Sequence, residues 1–170
     1  MIDGDRDGDG VYDPVDAFPA DSIRSVRCDA GQYGRYICLD SPAGKYVPTP
    51  GSMYATEASR GYFVPLTGQS SQIACAAGTF QPDVGQTSCD DADAGFHVPN
   101  PAQTSQTACQ PGSYQPLQGQ PACRYADAGY YVDQTAAVSQ SACDAGTFNP
   151  NTGSSTCLLY TSDAADECDS

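Results

Sequence analysis

Tryptophan is absent from this 170-residue chain, and large apolar residues are scarce: Leu, Ile, Val and Phe together number 23. That is too little to fill a conventional core. With a net charge of −14, the composition lies near the disordered class. Basic residues are few, seven Lys and Arg against 21 Asp and Glu. The basic footprint of a nucleic-acid binder is therefore missing. No apolar run approaches the ~20 residues that span a bilayer, and no signal peptide is visible. Histidine occurs once, as His97, and there is no CxxC pair, which argues against zinc at its usual spacing. GxSxG, HExxH and phosphate-loop motifs are missing too, so no enzymatic activity is expected.

What the chain does have is cysteine and repetition. Nine cysteines can replace a core with disulfides, as small secreted modules do. Closing a loop of about 15 residues stabilises by roughly 3 kcal/mol in the chain-entropy model. Disulfides imply an oxidising, extracytoplasmic compartment. Together with the missing signal, they lead us to expect an internal piece of a longer secreted chain.

Ala74–Thr107 and Ala108–Ser141 align without a gap at a period of 34, which splits into halves of 17. Such a period decides the fold reading before anything else. Units begin at Ser41, Ala58, Cys75, Ala92, Cys109, Ala126 and Cys143, with a shortened one from Cys28. Position four is always glycine, from Gly44 to Gly146. Position six is aromatic or His: Tyr46, Phe63, Phe80, His97, Tyr114, Tyr131 and Phe148.

Cysteine alternates with the units. Cys75, Cys109 and Cys143 are each followed fourteen residues later by Cys89, Cys123 and Cys157. In the intervening units both positions change together, to Ala58 with Gln72, Ala92 with Gln106, and Ala126 with Gln140. Joint loss implies pairing within a unit: Cys75–Cys89, Cys109–Cys123 and Cys143–Cys157. The shortened unit implies Cys28–Cys38. Cys168 is left as the odd cysteine.

Each unit predicts a β-hairpin. β-prone residues follow the glycine, as in Gly129-Tyr-Tyr-Val. A turn such as Asn149-Pro-Asn-Thr-Gly comes next, and a Ser/Thr/Gln segment leads back. The expected fold class is small, disulfide-rich and all-β: an elongated array of 17-residue hairpins with little helix. The position-four glycine is expected to supply φ > 0 or a close backbone approach. The recurring ring, His97 included, is expected to stack on its neighbours or on a disulfide. Asp90, Asp91 and Asp93 read as a solvated face.

Residues 3–21 form a separate acidic stretch. From Asp5 the pattern runs D-x-D-x-D-G-x-x-D-x-x-D. Calcium takes six to eight oxygens, and an EF-type loop supplies them at positions 1, 3, 5, 7, 9 and 12, with glycine at 6. Those places hold Asp5, Asp7, Asp9, the Val11 carbonyl, Asp13 and Asp16, with Gly10 at the turn. Clustered carboxylates repel unless a cation neutralises them. A solvated acidic linker is the alternative. No amphipathic helix flanks the loop. The stretch resembles the thrombospondin type 3 calcium repeat, in the cysteine-free form ending DAFPxD found in prokaryotic surface proteins.

The pattern C-x-x-G-x-Y/F…G…C over about residues 28–157 resembles the cysteine-rich repeats of growth-factor and ephrin receptors, and the first module of tumour-necrosis-factor-receptor repeats. In those families the first two cysteines of the module are bonded, which agrees with the internal comparison. Their following CxxC cysteine is replaced here, as at Ala92 and Ala126.

Three segments follow: 1–22, a calcium-binding loop; 23–157, the hairpin repeats; and 158–170, a tail without the repeat. Leu158–Glu167 is similar to a translated sequencing adapter, which would make the tail and Cys168 non-native; a genuine C-terminal cap is the alternative. The expected function is an extracellular or cell-surface stalk, stiffened by calcium and disulfides. The alternatives are a receptor-like or adhesion module whose loops bind a protein or glycan, and an accessory region of a secreted hydrolase. Loops that bind carry varied aromatic or Arg anchors. These are short, polar and alike, which favours the stalk.

Residues 5–16 should bind one Ca²⁺ at about 10⁻⁴–10⁻³ M, the range of extracellular modules, with magnesium competing poorly. Calorimetry on the chain, wild type against Asp9→Asn with Asp13→Asn, checks this. Equal calcium heats would identify the stretch as a linker only.

Overall fold

A computed structural model describes residues 27–35 and 37–160. Among them are sixteen two-residue strands, no helix and four disulfides. The strands pair into eight antiparallel two-stranded hairpins. Positions five and six of a unit pair with positions sixteen and seventeen. Phe96–His97 thus meets Thr107–Ala108, and Ser113–Tyr114 meets Arg124–Tyr125. The last hairpin pairs Thr147–Phe148 with Leu158–Leu159, so the first residues of the tail complete the final unit. The Tyr160 N–H continues the pattern by donating to the Gly146 carbonyl, and its ring meets Phe148 edge-on.

The described residues fall into two compact units, one of 27–75 and 81–89, the other of 76–80 and 90–160. The same rules build both. Two-residue strands bury almost nothing, and an isolated hairpin of this size is at best marginal in water. Each repeat therefore passes its peptide groups to the next. In the first unit, the Gly44 N–H donates to the Val64 carbonyl (2.8 Å) and the Val47 N–H to the Gln69 carbonyl (2.9 Å). In the second, Gly95 donates to Gln115 (2.7 Å), Gly112 to Val132 (2.7 Å) and Gly129 to Asn149 (2.8 Å). Position one donates back: Cys109 to Gly95 and Ala126 to Gly112, both 2.9 Å.

The core is correspondingly thin. Position one supplies Ser41, Ala58, Cys75, Ala92, Cys109 and Ala126, all buried. Position seven supplies Val47, Val64, Val98 and Val132 where the unit has no 14-residue disulfide loop, and Gln81, Gln115 and Asn149 where it has one. Burying an amide is tolerable only if it is hydrogen-bonded. Each of these is. Gln115 donates through Nε2 to the Ala122 carbonyl (2.7 Å) and accepts the Leu117 N–H at Oε1 (3.2 Å). Gln81 repeats this with Ser88 and Asp83. Asn149 donates to the Tyr130 carbonyl and accepts from the Asn151 N–H and the Ser154 hydroxyl.

Two positions explain the glycines. Position four is the third residue of a four-residue turn, in which the Phe96 N–H donates to the Asp93 carbonyl, and Gly95 between them has φ 86°. Type II turns need φ > 0 there. The approach is also close, because a Cβ on Gly95 would run into the Ala136 carbonyl oxygen. Position eleven shows an exchange of sizes. A Cβ on Gly119 would meet the Asp91 carboxylate at 3.3 Å, and one on Gly153 would meet the Tyr125 ring at 3.2 Å. Alanine stands at position eleven twice, as Ala102 (φ 59°) and Ala136 (φ 55°). Twenty-eight residues before Ala136 lies the small Ala108, where Gly119 and Gly153 have Asp91 and Tyr125. The chain accepts a left-handed alanine where the preceding side chain is small.

The ring expectation holds in part. The position-six rings are half-buried, apart from the more exposed Phe148. Among the described residues, Phe148 meets Tyr160 (centroids 5.3 Å), and His97 lies against the Cys109–Cys123 disulfide.

Gly95→Ala and Gly129→Ala should separate conformation from crowding. Among the described residues nothing lies within 4 Å of a Cβ on Gly129, whose φ of 82° matches that of Gly95. Gly129→Ala should therefore cost only the left-handed penalty of roughly 1–2 kcal/mol. Gly95→Ala should cost about 1–3 kcal/mol more through overpacking. Denaturant midpoints read the difference, and equal losses would refute the close approach.

Candidate functional site

The predicted calcium ligands Asp5, Asp7, Asp9, Val11, Asp13 and Asp16 lie outside the described residues, as does Cys168. The candidate features that can be built up from geometry are the hairpin closures and the single histidine.

A hairpin of two-residue strands needs a further tie. In four units that is a disulfide. The structure joins Cys28 to Cys38 with Cα atoms 5.3 Å apart. It also joins Cys75–Cys89, Cys109–Cys123 and Cys143–Cys157, each with Cα atoms 5.8 Å apart. The opening cysteine is buried at Cys28, Cys75 and Cys109. These distances are ordinary for disulfides.

The cysteine-free units at 58, 92 and 126 close differently, and sequence reasoning missed how; the unit at 41 has Ala55 at that place. The glutamine that stands in for the second cysteine reaches back to position two of its own unit. Gln106 Oε1 accepts the Asp93 N–H (2.6 Å), and its Nε2 donates to Asp93 Oδ2 (2.6 Å). Gln140 does the same with Asp127, at 2.7 Å for both bonds. Gln72 accepts the Ser59 N–H (2.7 Å). The signal was present in the sequence: Ala and Gln replace the two cysteines together. A two-bond amide clamp does non-covalently what the disulfide does covalently. Its hydrogen bonds each contribute about 0.5–1.5 kcal/mol net, or somewhat more where a carboxylate accepts.

His97 sits where a neighbouring unit's closure can reach it. It occupies position six of the cysteine-free unit at 92 and ends the strand Phe96–His97. Its Nδ1 lies 3.1 Å from Cys123 Sγ. The ligand atoms of His97, Cys109 and Cys123 all fall within 4.8 Å of one another. Cys109 is buried; the other two are half-buried. With the disulfide formed, both sulfurs are committed to each other, and the imidazole packs against the bond.

The surface carries scattered apolar side chains. Tyr54, Leu66, Leu117 and Tyr125 are exposed, and Leu66 and Leu117 hold the same place, position nine, in their units. A shallow depression on the turn of the hairpin at 126 is lined by residues from Tyr131 to Ser141. Asp90 and Asp91 are exposed, as expected of a solvated face. On the strand face Lys45 and Glu57 stand opposite one another and form an ion pair at 3.2 Å. Among the described residues no helix is long and apolar enough to cross a membrane. The four disulfides are compatible with an extracellular location. No protein-family model matches this sequence, and no curated protein matches it either.

Because amide clamp and disulfide occupy the same places in the unit, Ala126→Cys with Gln140→Cys should form a fifth bridge. Peptide mapping without reduction should find it. The net gain should be about 0–2 kcal/mol, a disulfide of roughly 3 kcal/mol less the two lost bonds of the clamp. Free thiols at both positions in the folded protein would show that the two closures are not interchangeable.

Proposed function

We propose that this chain is an extracellular structural stalk or spacer of a larger cell-surface or secreted protein, stapled by disulfides and stiffened through residues 5–16 by calcium. One observation supports the reading above others. Successive units hand the same backbone hydrogen bonds to each other at the same positions, whatever their side chains. Architecture of this kind gives stability by nearest-neighbour addition. It can be lengthened by whole units without redesign.

The receptor-like alternative draws on the exposed Tyr54, Leu66, Leu117 and Tyr125. Aromatic anchors of this type dominate binding energy where they cluster. The loops that carry them would then meet a protein or glycan ligand.

Single-molecule extension tests the stalk. With calcium and without reductant, the chain should resist force and yield in discrete steps. A reductant should add length, since opening one 14-residue loop releases roughly 40–50 Å at about 3.5 Å per residue. Smooth extension of the oxidised, calcium-loaded chain, with no unfolding steps, would describe a soft linker and overturn the proposal.

A further inference from the structure

His97 is the chain's only histidine, and it stands beside a disulfide. Position six of a cysteine-free unit precedes the second cysteine of the following unit by 26 residues. At the other two such places the residue is Phe63, before Cys89, or Tyr131, before Cys157. Only before Cys123 does that position bring a nitrogen lone pair. The three donors, imidazole nitrogen and two sulfurs, already lie within 4.8 Å of one another.

We propose that, once the Cys109–Cys123 bond is reduced, His97, Cys109 and Cys123 bind one zinc ion, with the fourth position left to water. Three protein ligands of the Cys₂His type with an open fourth position are an established zinc geometry. Reduction gives two thiols: a thiol reductant supplies two electrons and two protons and ends as a disulfide, whereas a phosphine supplies the two electrons and ends as its oxide, with the two protons and the oxide oxygen coming from water. Zinc binding then releases both protons as the thiolates form. Neutral His97 adds its Nδ1 lone pair. At Zn–S distances of about 2.3 Å the sulfurs must stand about 3.8 Å apart. Side-chain rotation can supply that from Cα atoms 5.8 Å apart. Nδ1 already faces Cys123 Sγ.

The backbone should survive the loss of this one bond. The units at 92 and 126, on either side in the sequence, are hairpins without any disulfide. Their amide clamps involve neither cysteine, and the backbone bonds from Gly95 to Gln115 and from Gly112 to Val132 tie the 109 unit to the units on both sides. Zinc would then act as a second clip on the same hairpin, available only under reducing conditions. It would also hold the two thiolates against re-oxidation. This inference does not rest on the stalk reading.

The test uses the full chain, reduced with a phosphine, in millimolar calcium to occupy the acidic stretch. One equivalent of zinc is added and the thiols are alkylated. Cys109 and Cys123 should be protected at least tenfold relative to Cys75, Cys89, Cys143 and Cys157. Cobalt(II) in place of zinc should give thiolate charge-transfer absorption with reduced chain and none with oxidised chain. His97→Phe, which installs the residue found at Phe63 and Phe80, should abolish the selective protection. Because alkylation is read cysteine by cysteine, it remains decisive if other hairpins loosen. Equal alkylation of all the disulfide-forming cysteines would overturn the site. So would selective protection that survives His97→Phe.

Discussion

Everything in this fold depends on the backbone hydrogen bond that leaves position four of one unit and ends on position seven of the next. The Gly95 N–H to the Gln115 carbonyl, at 2.7 Å, is representative. Side chains cannot carry the load. Ordering one residue costs roughly 1–2 kcal/mol of backbone entropy. A 17-residue unit that buries one valine and one alanine returns only a few kcal/mol of hydrophobic stabilisation. Peptide groups left unpaired in that interior would cost more still. The repeat resolves this by pairing them between units, which requires each unit to present the same geometry as the last.

That requirement accounts for what is constant and what is free. Glycine at position four is constant because the turn needs φ > 0 and because a carbonyl from further along the chain presses against Gly95 where a Cβ would be. Position eleven is less constrained. It takes alanine at Ala136, with Ala108 twenty-eight residues earlier, and glycine where that earlier residue is Asp91 or Tyr125. Two neighbouring sites thus trade volume while the backbone stays put. Position seven trades chemistry instead. Valine and a self-satisfied glutamine fill the same place, because the amide of Gln115 returns both its bonds to the backbone of its own turn.

Much of this was legible in the sequence, and for a physical reason. Period, glycine and cysteine pairing are backbone properties, and a repeat prints them several times over. Comparing Cys75 and Cys89 with Ala92 and Gln106 exposes the bond without any coordinates. The buried glutamines were not legible. Gln81 and Gln115 sit among Pro, Gly and Asp in segments that read as solvated turns, and only the fold reveals that their side chains turn inward. The amide clamp was visible as a substitution but not as a structure. A Gln thirteen residues from an Asp gives no sign that its two ends would meet that residue's N–H and carboxylate. His97 read as one more ring, since its special circumstance is a sulfur 26 residues away.

The alternation of closures follows from what each demands of its surroundings. A disulfide needs two sulfurs at a fixed distance and nothing from its neighbours. An amide clamp needs a backbone N–H that stays where the neighbouring units put it. A chain of clamps alone would be cooperative but would fail together, since each depends on order that the others supply. Setting a clamp between two covalent closures places every weak hairpin beside a strong one. Ala92 with Gln106 lies between the Cys75–Cys89 and Cys109–Cys123 units in sequence. Loss of one bridge is therefore met by order held on both sides of it in the chain. That is the circumstance in which the Cys109–Cys123 hairpin could open its sulfurs to a different partner while keeping its shape.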